Sequence, residues 1–314
     1  MTRQQKMDRA LLELGASLRE SHYRFITPTP LTHQRVLERY STPLATDLRD
    51  VFGWSMPFTR ELFSHAELDA LEKEGIIEHH GDLWRSAVRW STLNDLLFVH
   101  SAYPTTQSDS VFFGPDTYRF AQAIEALLEQ RLEPVKRAVD IGCGAGVGAV
   151  IIARMCDEAD VLAVDINPRA VRLTAVNAEL AGTSNVTAYH SDLLCSVEGR
   201  FDLIVANPPY MNDHQHRAYR HGGGALGEAL SVRIVRESLP RLETHGTLLL
   251  YTGVAMVAGR DPFLAAVEPL LSGDHFGWTY HEVDPDVFGE ELLQPGYESV
   301  ERIAAVVLTV DRLP

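Results

Sequence analysis

The residues Asn207, Pro208, Pro209 and Tyr210 form a tetrapeptide suited to positioning a planar nitrogen. The side-chain carbonyl of Asn207 and the main-chain carbonyl of Pro208 can each accept a hydrogen bond from an amide or amine N–H. Because two prolines stiffen the backbone, both acceptors keep their direction, and the nitrogen lone pair turns toward an electrophile. Tyr210 adds an aromatic face on which a planar molecule can stack. The tetrapeptide is therefore a candidate catalytic site.

A glycine-rich stretch upstream predicts a nucleotide-binding turn between a strand and a helix. Asp140, Gly142, Gly144 and Gly146 match the acidic-residue and GxGxG pattern of S-adenosylmethionine (SAM) sites. Gly144, Gly146 and Ala149 also match the GxGxxA pattern of NAD sites. The glycines alone leave both ligands open.

Two further carboxylates extend the pattern, and the second of them favours SAM. Asp165 is predicted to end the second strand, where its carboxylate can accept both ribose hydroxyls, as in either ligand family. Asp192 follows the third predicted strand, where methyltransferases bind the adenine amine, and Leu193 can flank the ring. We expect Asp140 to place the amino-acid part of SAM, whose ammonium group attracts a carboxylate.

With these motifs, residues 110–310 resemble the class I SAM-dependent N-methyltransferases that carry an NPPY motif. That group includes the release-factor glutamine methyltransferases and the enzymes that methylate amino groups of adenine or guanine. Residues 114–117 (Gly-Pro-Asp-Thr) resemble the Pro-Asp-Thr-Glu stretch of the glutamine enzymes, with Tyr118 where they carry Glu. Residues 221–227 are similar to their glycine-rich stretch before the next helix. The resemblance implies SAM as cofactor and a nitrogen as methyl acceptor.

The order of predicted elements supports this fold class. Strands and helices alternate after residue 110. They include a predicted helix over 147–155, a strand over 201–206 that leads directly into Asn207, and a helix over 262–271. This alternation predicts an α/β fold with a Rossmann-like, doubly wound, seven-stranded sheet. The last two predicted strands, 278–283 and 302–310, have no helical pattern between them. We therefore expect them to form an antiparallel edge of the sheet.

Residues 1–109 are predicted to form a smaller, mainly helical, winged-helix-like domain, and residues 110–314 the methyltransferase domain. Ser64 and Glu67 fit a capping box at the start of a helix that ends at Gly75, and a hairpin is predicted over 76–84. This helix carries four acidic residues and one lysine over 65–74. We expect a substrate-selecting or packing role for it rather than DNA reading.

Composition narrows the function classes further. The net charge of −15 weighs against a large nucleic-acid surface. The three cysteines show no metal-ligand spacing, and we expect no metal site. No long apolar run suggests a membrane span, and we expect a cytoplasmic protein without a membrane partner.

A locally basic stretch follows the tetrapeptide. It contains His214, His216, Arg217, Tyr219, Arg220 and His221. We expect a loop over the substrate, in which Arg217 and Arg220 are candidates to pair with a phosphate or carboxylate. Phe112, Phe113 and the stretch 286–291 are further candidates to face the site.

The sequence leaves the acceptor open among a protein amide, a nucleic-acid base and a small metabolite. Two other functions also stay open. One is a non-catalytic SAM-binding interaction module, and the other is an NAD-linked oxidoreductase.

Overall fold

A computed structural model describes residues 2–213, 217 and 219–314. Within them residues 2–101 contain four α-helices and two hairpins. The helices are α1 (Arg3–Glu20), α2 (Pro30–Leu37), α3 (Leu48–Phe52) and α4 (His65–Lys73). The hairpins pair β1 (Ile77–His80) with β2 (Leu83–Ser86), and β3 (Val88–Leu93) with β4 (Leu96–Ser101).

The capping box of α4 is confirmed. Ser64 Oγ accepts from the Glu67 amide at 3.3 Å, and a Glu67 carboxylate oxygen accepts from the Ser64 amide at 2.9 Å. Gly75, just beyond the helix, has a φ of +71°, a conformation that favours glycine. The hairpin β1–β2 then follows, as expected for a winged-helix-like unit.

The β3–β4 hairpin was not predicted. Every residue of both strands is buried, so the alternation of apolar and polar residues that marks a half-exposed strand is missing. Asn177 of the later helix α7 (Pro168–Ala181) pairs with this hairpin: its Oδ1 accepts from the Val99 amide at 2.8 Å, and its Nδ2 donates to the Val99 carbonyl at 2.9 Å. The hairpin is thereby fixed to the second half of the chain. The domain boundary at 109/110 stays a prediction.

The second half forms a seven-stranded sheet with helices on both faces. The strands are β5 (Arg137–Ile141), β6 (Asp160–Asp165), β7 (Val186–His190), β8 (Phe201–Ala206), β9 (Leu242–Val257), β10 (Phe276–Asp284) and β11 (Val300–Arg312). The remaining helices are α5 (Pro115–Gln130), α6 (Val147–Met155), α8 (Ala229–Ser238) and α9 (Pro262–Leu271).

The spatial order of the strands is β10-β11-β9-β8-β5-β6-β7. Neighbours from β9 to β7 pair in parallel, whereas β11 runs antiparallel to both β9 and β10. The predicted Rossmann-like, doubly wound sheet and its antiparallel hairpin are confirmed. The antiparallel strand itself, β11, lies one place in from the edge strand β10.

Two apolar clusters pack the two faces of this sheet. One contains α8 and α9, and the other contains α5, α6 and α7 together with the buried apolar residues of the N-terminal elements. Because helices cover both faces, the open end of the parallel strands is left for a ligand.

Candidate active site

A cleft of about 480 Å³ lies at the carboxyl ends of the parallel strands. It brings together ten of the eleven site residues predicted from the sequence. These are Asp140, Gly142, Gly144, Asp165, Asp192, Leu193, Asn207, Pro208, Pro209 and Tyr210. The eleventh, Gly146, is absent from the lining.

The glycine turn between β5 and α6 requires its glycines for backbone reasons. Gly142, Gly144 and Gly146 have φ angles of +70°, +55° and +80°, which side-chain-bearing residues rarely adopt. A Cβ on Gly146 would lie 2.7 Å from Cγ2 of Thr174. Gly146 thus shapes the turn behind the cleft, and Gly142 and Gly144 form its wall.

Asp140 provides a buried carboxylate with one unused oxygen. Its Oδ2 accepts from the Ala149 amide at 3.0 Å, whereas its Oδ1 has no partner among the described residues. Burial raises the pKa of Asp140 to about 7, and the nearby Asp165 acts in the same direction. An unpartnered buried carboxylate oxygen facing a cleft fits a ligand ammonium group.

Asp165 is held by the glycine turn itself. Its Oδ2 accepts from the Gly144 amide at 3.0 Å, and its Oδ1 accepts from the Asn167 amide at 2.8 Å. Burial raises its pKa despite these two bonds. Since each carboxylate oxygen has a further lone pair, the fixed group fits the pair of ribose hydroxyls expected of it.

Asp192 has a partner that the sequence analysis did not anticipate. Arg233 of α8 binds it through two hydrogen bonds of 2.9 and 3.1 Å, and the same arginine also binds Glu237. An adenine amine at Asp192 would share the carboxylate with this guanidinium. Leu193 lies beside it with 9% of its surface exposed.

Asn207 follows β8 directly, as the strand prediction required. It is half-buried in the cleft, and its side-chain amide has no hydrogen bond to any described residue. Pro208 is buried beside it. The amide of Asn207 is therefore available to an incoming molecule.

Tyr210 is more buried than a ring that is free to stack on a substrate. The residue is 8% exposed, and a Cβ on Gly253 of β9 would come 2.1 Å from its ring, so the ring packs closely on that strand. Phe288 meets the ring edge-on at 6.2 Å between centroids. The stacking role of Tyr210 toward a substrate stays a prediction.

A buried polar cluster around Asp116 was missed as a functional feature. Its carboxylate accepts from the hydroxyls of Tyr210 at 2.5 Å and Tyr251 at 2.7 Å, and Arg119 lies 3.2 Å away. Arg119 also pairs with Asp284 of β10 at 2.6 Å. Burial raises the pKa of Asp116, although both tyrosines and Arg119 oppose that rise. The signal in the sequence for this cluster was that Asp116 lies in the stretch 114–117. That stretch was identified only as a resemblance and was given no role.

The arginines of the basic stretch already have acidic partners. Arg217 binds Asp213 through Nε at 3.0 Å and Nη2 at 2.5 Å, and Arg220 pairs with both Asp213 and Glu291. Bonds from Arg217 lower the pKa of Asp213 to about 2. His214, Gln215 and His216 lie outside the described residues.

Aromatic side chains line part of the cleft. Phe112 and Tyr219 stack with centroids 6.4 Å apart and planes within 10°. Phe288, from the stretch 286–291, lines the same cleft with a φ of +54°. Phe113 is instead buried and stacks on His100 at 5.0 Å.

Within the described residues no three His, Cys, Asp or Glu side chains are grouped so as to hold a metal ion. No helix in this part of the chain is long and apolar enough to cross a membrane.

Comparison with known proteins decides the family. Residues 117–255 match the family described as Methyltransferase small domain. A putative protein N5-glutamine methyltransferase of Methanocaldococcus jannaschii is 36% identical over 163 residues, which are 50% of this chain and 81% of that protein. The chain belongs to the SAM-dependent methyltransferases.

Other methyltransferases match over smaller shares of their own length. A release factor glutamine methyltransferase of Deinococcus radiodurans is 38% identical over 53% of this chain and 59% of its own. The chain spans 37 to 59% of the length of further curated relatives, which include a ribosomal protein L11 methyltransferase. A SAM-dependent methyltransferase from Agrobacterium tumefaciens shares the fold, with a TM-score of 0.50 at 14% identity over 78% of this chain and 80% of that one.

Membership of the methyltransferases removes the NAD alternative that the glycine turn had left open. SAM is the cofactor of this family, and the free oxygen of Asp140 together with the fixed carboxylate of Asp165 fits its ammonium and ribose groups.

Proposed function

We propose that this chain transfers a methyl group from SAM to a planar nitrogen that carries hydrogens. The observation that supports the proposal is the position of Asn207, whose unbonded amide shares one cleft with Asp140 and Asp165. Bound SAM would supply a methyl group already activated by its sulfonium. The chain then needs to position the acceptor rather than to activate it.

Each residue has a defined part in this reaction. The side-chain oxygen of Asn207 and the carbonyl of Pro208 accept the two N–H hydrogens of the acceptor. The nitrogen lone pair then faces the methyl group, a bond forms from nitrogen to carbon, and the carbon–sulfur bond breaks. One N–H proton is released, so atoms and charge balance.

The charges of the cleft favour a protein amide or a small molecule over a nucleic-acid base. Arg217, Arg220 and Arg233 all have carboxylate partners, so none of them is an uncompensated cation for a phosphate backbone. Tyr118 differs from the Glu of the glutamine enzymes, and its hydroxyl accepts from the Thr27 amide at 3.0 Å. That contact ties the position to the N-terminal elements rather than to the cleft.

The proposal is tested by adding the purified protein and methyl-labelled SAM to a lysate from a strain that lacks this protein. We expect label in one class of acceptor, and loss of about 10²-fold or more in rate with Asn207→Ala, because positioning is the main catalytic device. Asn212→Ala is the matched control, since among the described residues the side chain of this nearby asparagine donates to the Ala225 carbonyl and does not line the cleft. SAM binding should be unchanged in both variants.

Full labelling by Asn207→Ala would contradict the role of the tetrapeptide. SAM binding by the wild type without label in any protein, nucleic-acid or small-molecule fraction would instead support the non-catalytic binding module.

A further inference from the structure

Arg89 of β3 is a buried cation. The residue is 5% exposed, and its Nε donates to the Gly53 carbonyl at 2.6 Å. Its Nη2 lies 2.9 Å from Nδ1 of His33, and the guanidinium lies 4.9 Å from the centre of the Phe25 ring. No carboxylate of the described residues pairs with it. A buried charge usually has an opposite charge beside it, because removal from water costs several kcal/mol.

This arginine lines a small cavity of about 20 Å³. The polar residues around the cavity include no acid: they are Arg89, His33, His100, Thr27, Ser101, Tyr103 and Thr105. Burial, followed by the charge of Arg89, lowers the pKa of His33 to about 3 and that of His100 well below its usual value, so both rings are neutral. The positive charge of the cavity wall is therefore that of Arg89.

His33 adds a donor to the same wall. Its Nδ1 faces the guanidinium of Arg89, which can only donate, so the proton of the neutral ring lies on Nε2. That Nε2 is buried and has no hydrogen-bond partner of normal geometry in the described part of the chain, although the Trp54 main chain is close enough to the ring to raise its pKa. A negatively charged group that accepts hydrogen bonds would pair with both Arg89 and His33.

The cavity adjoins the methyl-transfer cleft. Phe112 lines both spaces. The Tyr219 ring that stacks on it lines the cleft, and its hydroxyl donates at 2.7 Å to the carbonyl of Thr105, which lines the cavity. The two spaces therefore lie next to each other and share the Phe112 side chain.

We propose that Arg89 binds the carboxylate of a small methyl acceptor whose nitrogen lies at Asn207; this rests on the function proposed above. A volume of about 20 Å³ holds one or two water-sized groups, so only the end of a ligand enters while its body stays in the cleft. The guanidinium fork matches the two oxygens of a carboxylate. Arg217 and Arg220, the candidates from the sequence, already have carboxylate partners.

A titration of the wild-type chain with sodium formate tests the binding of the anion. The side-chain N–H signals of Arg89, assigned through bonds from its own backbone, are followed by NMR in the SAM-bound protein at constant ionic strength. We expect a saturable shift at Arg89 and none at Arg131, whose described acceptors are all neutral: the Thr247 hydroxyl and the main-chain carbonyls of Glu133, Asp202 and His245. No saturable shift at Arg89 would overturn the proposal.

The labelling reaction identifies the source of the anion. We expect the labelled product to be a small molecule that an anion exchanger retains at pH 10, where amino groups are uncharged. Formate should raise the acceptor KM. Arg89→Lys should raise that KM at least tenfold with SAM affinity unchanged, and Arg131→Lys should change neither.

Other outcomes separate the two proposals. Label confined to macromolecules, or to a product that the exchanger does not retain, would overturn the carboxylate assignment and leave the N-methyltransferase standing. A saturable formate shift at Arg89 together with either of these products would mean that Arg89 binds a free oxyanion rather than the methyl acceptor. No label in any fraction would reject the proposed function and this inference with it.

Discussion

The hydroxyl of Tyr210 donates a 2.5 Å hydrogen bond to Oδ2 of Asp116, which joins the end of the tetrapeptide to the first turn of α5. The other oxygen of Asp116 accepts from Tyr251 of β9. One buried carboxylate thus fixes the tetrapeptide relative to the central part of the sheet.

The two tyrosines form a matched pair for a test of this tie. Tyr210→Phe and Tyr251→Phe each remove one donor from the same carboxylate, and we expect each to lower the free energy of unfolding by about 1–3 kcal/mol. Only Tyr210→Phe should also lower kcat, by about tenfold, because it removes the hydrogen bond to Asp116 that holds the tetrapeptide in position. Chemical denaturation and single-turnover methyl transfer measure the two effects. An equal fall of kcat in both variants would assign Asp116 a general structural role.

The raised pKa of Asp140 leads us to expect that SAM binding depends on pH. Its raised pKa of about 7 means that the free protein holds the carboxyl protonated below that pH, whereas an ammonium group needs the ionised form. Between pH 6 and 7 the ionised fraction rises about fivefold, and SAM affinity should rise by about the same factor. Calorimetric titration at several pH values measures this rise. Asp140→Asn should bind more weakly and lose most of the dependence, and a wild-type affinity that is flat over this range would contradict the assignment.

The same carboxyl group affects the stability of the free protein. The folded state holds its proton more tightly than the unfolded chain, so its contribution is present below the unfolded pKa near 4 and is lost as pH rises through about 7. Bound SAM should reduce this loss. Thermal unfolding of the wild type and Asp140→Asn at pH 5 and pH 8 shows it as a larger fall in Tm for the wild type.

Gly148, the second residue of α6, is a helical glycine that alanine should not improve. Alanine normally stabilises such a site by up to about 1 kcal/mol. Here a Cβ would lie 2.7 Å from Oδ2 of Asp140 and 3.0 Å from the Phe120 ring. Gly148→Ala should therefore weaken SAM binding by displacing the carboxylate. In an Asp140→Ala background the same substitution should have little further effect on SAM affinity, and an undiminished effect there would mean that Asp140 is not what it displaces.

The pair between Asp192 and Arg233 can be separated from SAM recognition. The two side chains are 49% and 40% exposed, so Arg233→Met should change the free energy of unfolding by less than about 1 kcal/mol. If Asp192 binds the adenine amine, SAM affinity should fall in Asp192→Asn and persist in Arg233→Met. An equal loss in both variants would mean that the ion pair, rather than the free carboxylate, forms the adenine site.

Regular periodicity explains what was predictable from the sequence. The strand Phe201–Ala206 and the helices Val147–Met155 and Pro262–Leu271 have the predicted bounds, because each combines a clear apolar pattern with a glycine or proline signal. The cleft-lining residues followed from the rule that ligands bind at the carboxyl ends of parallel strands.

The missed features depend on contacts between distant residues. Asp116 and Tyr251 are 135 positions apart, and the partner of Asp192 lies 41 positions away on α8. Arg89 lies in a strand buried on both sides, so its sequence shows no alternating pattern. The spacing of neighbouring residues along the sequence gives no signal for such long-range pairs.

The Asn177 side chain, which bonds to both main-chain groups of Val99, limits how this protein can have diversified. Exchange of the first hundred residues for a foreign recognition module would leave the amide of Asn177 without its strand partner deep inside the molecule. New acceptor specificities are therefore expected to arise by point changes around the cleft, and a successful graft would have to bring its own matching version of α7.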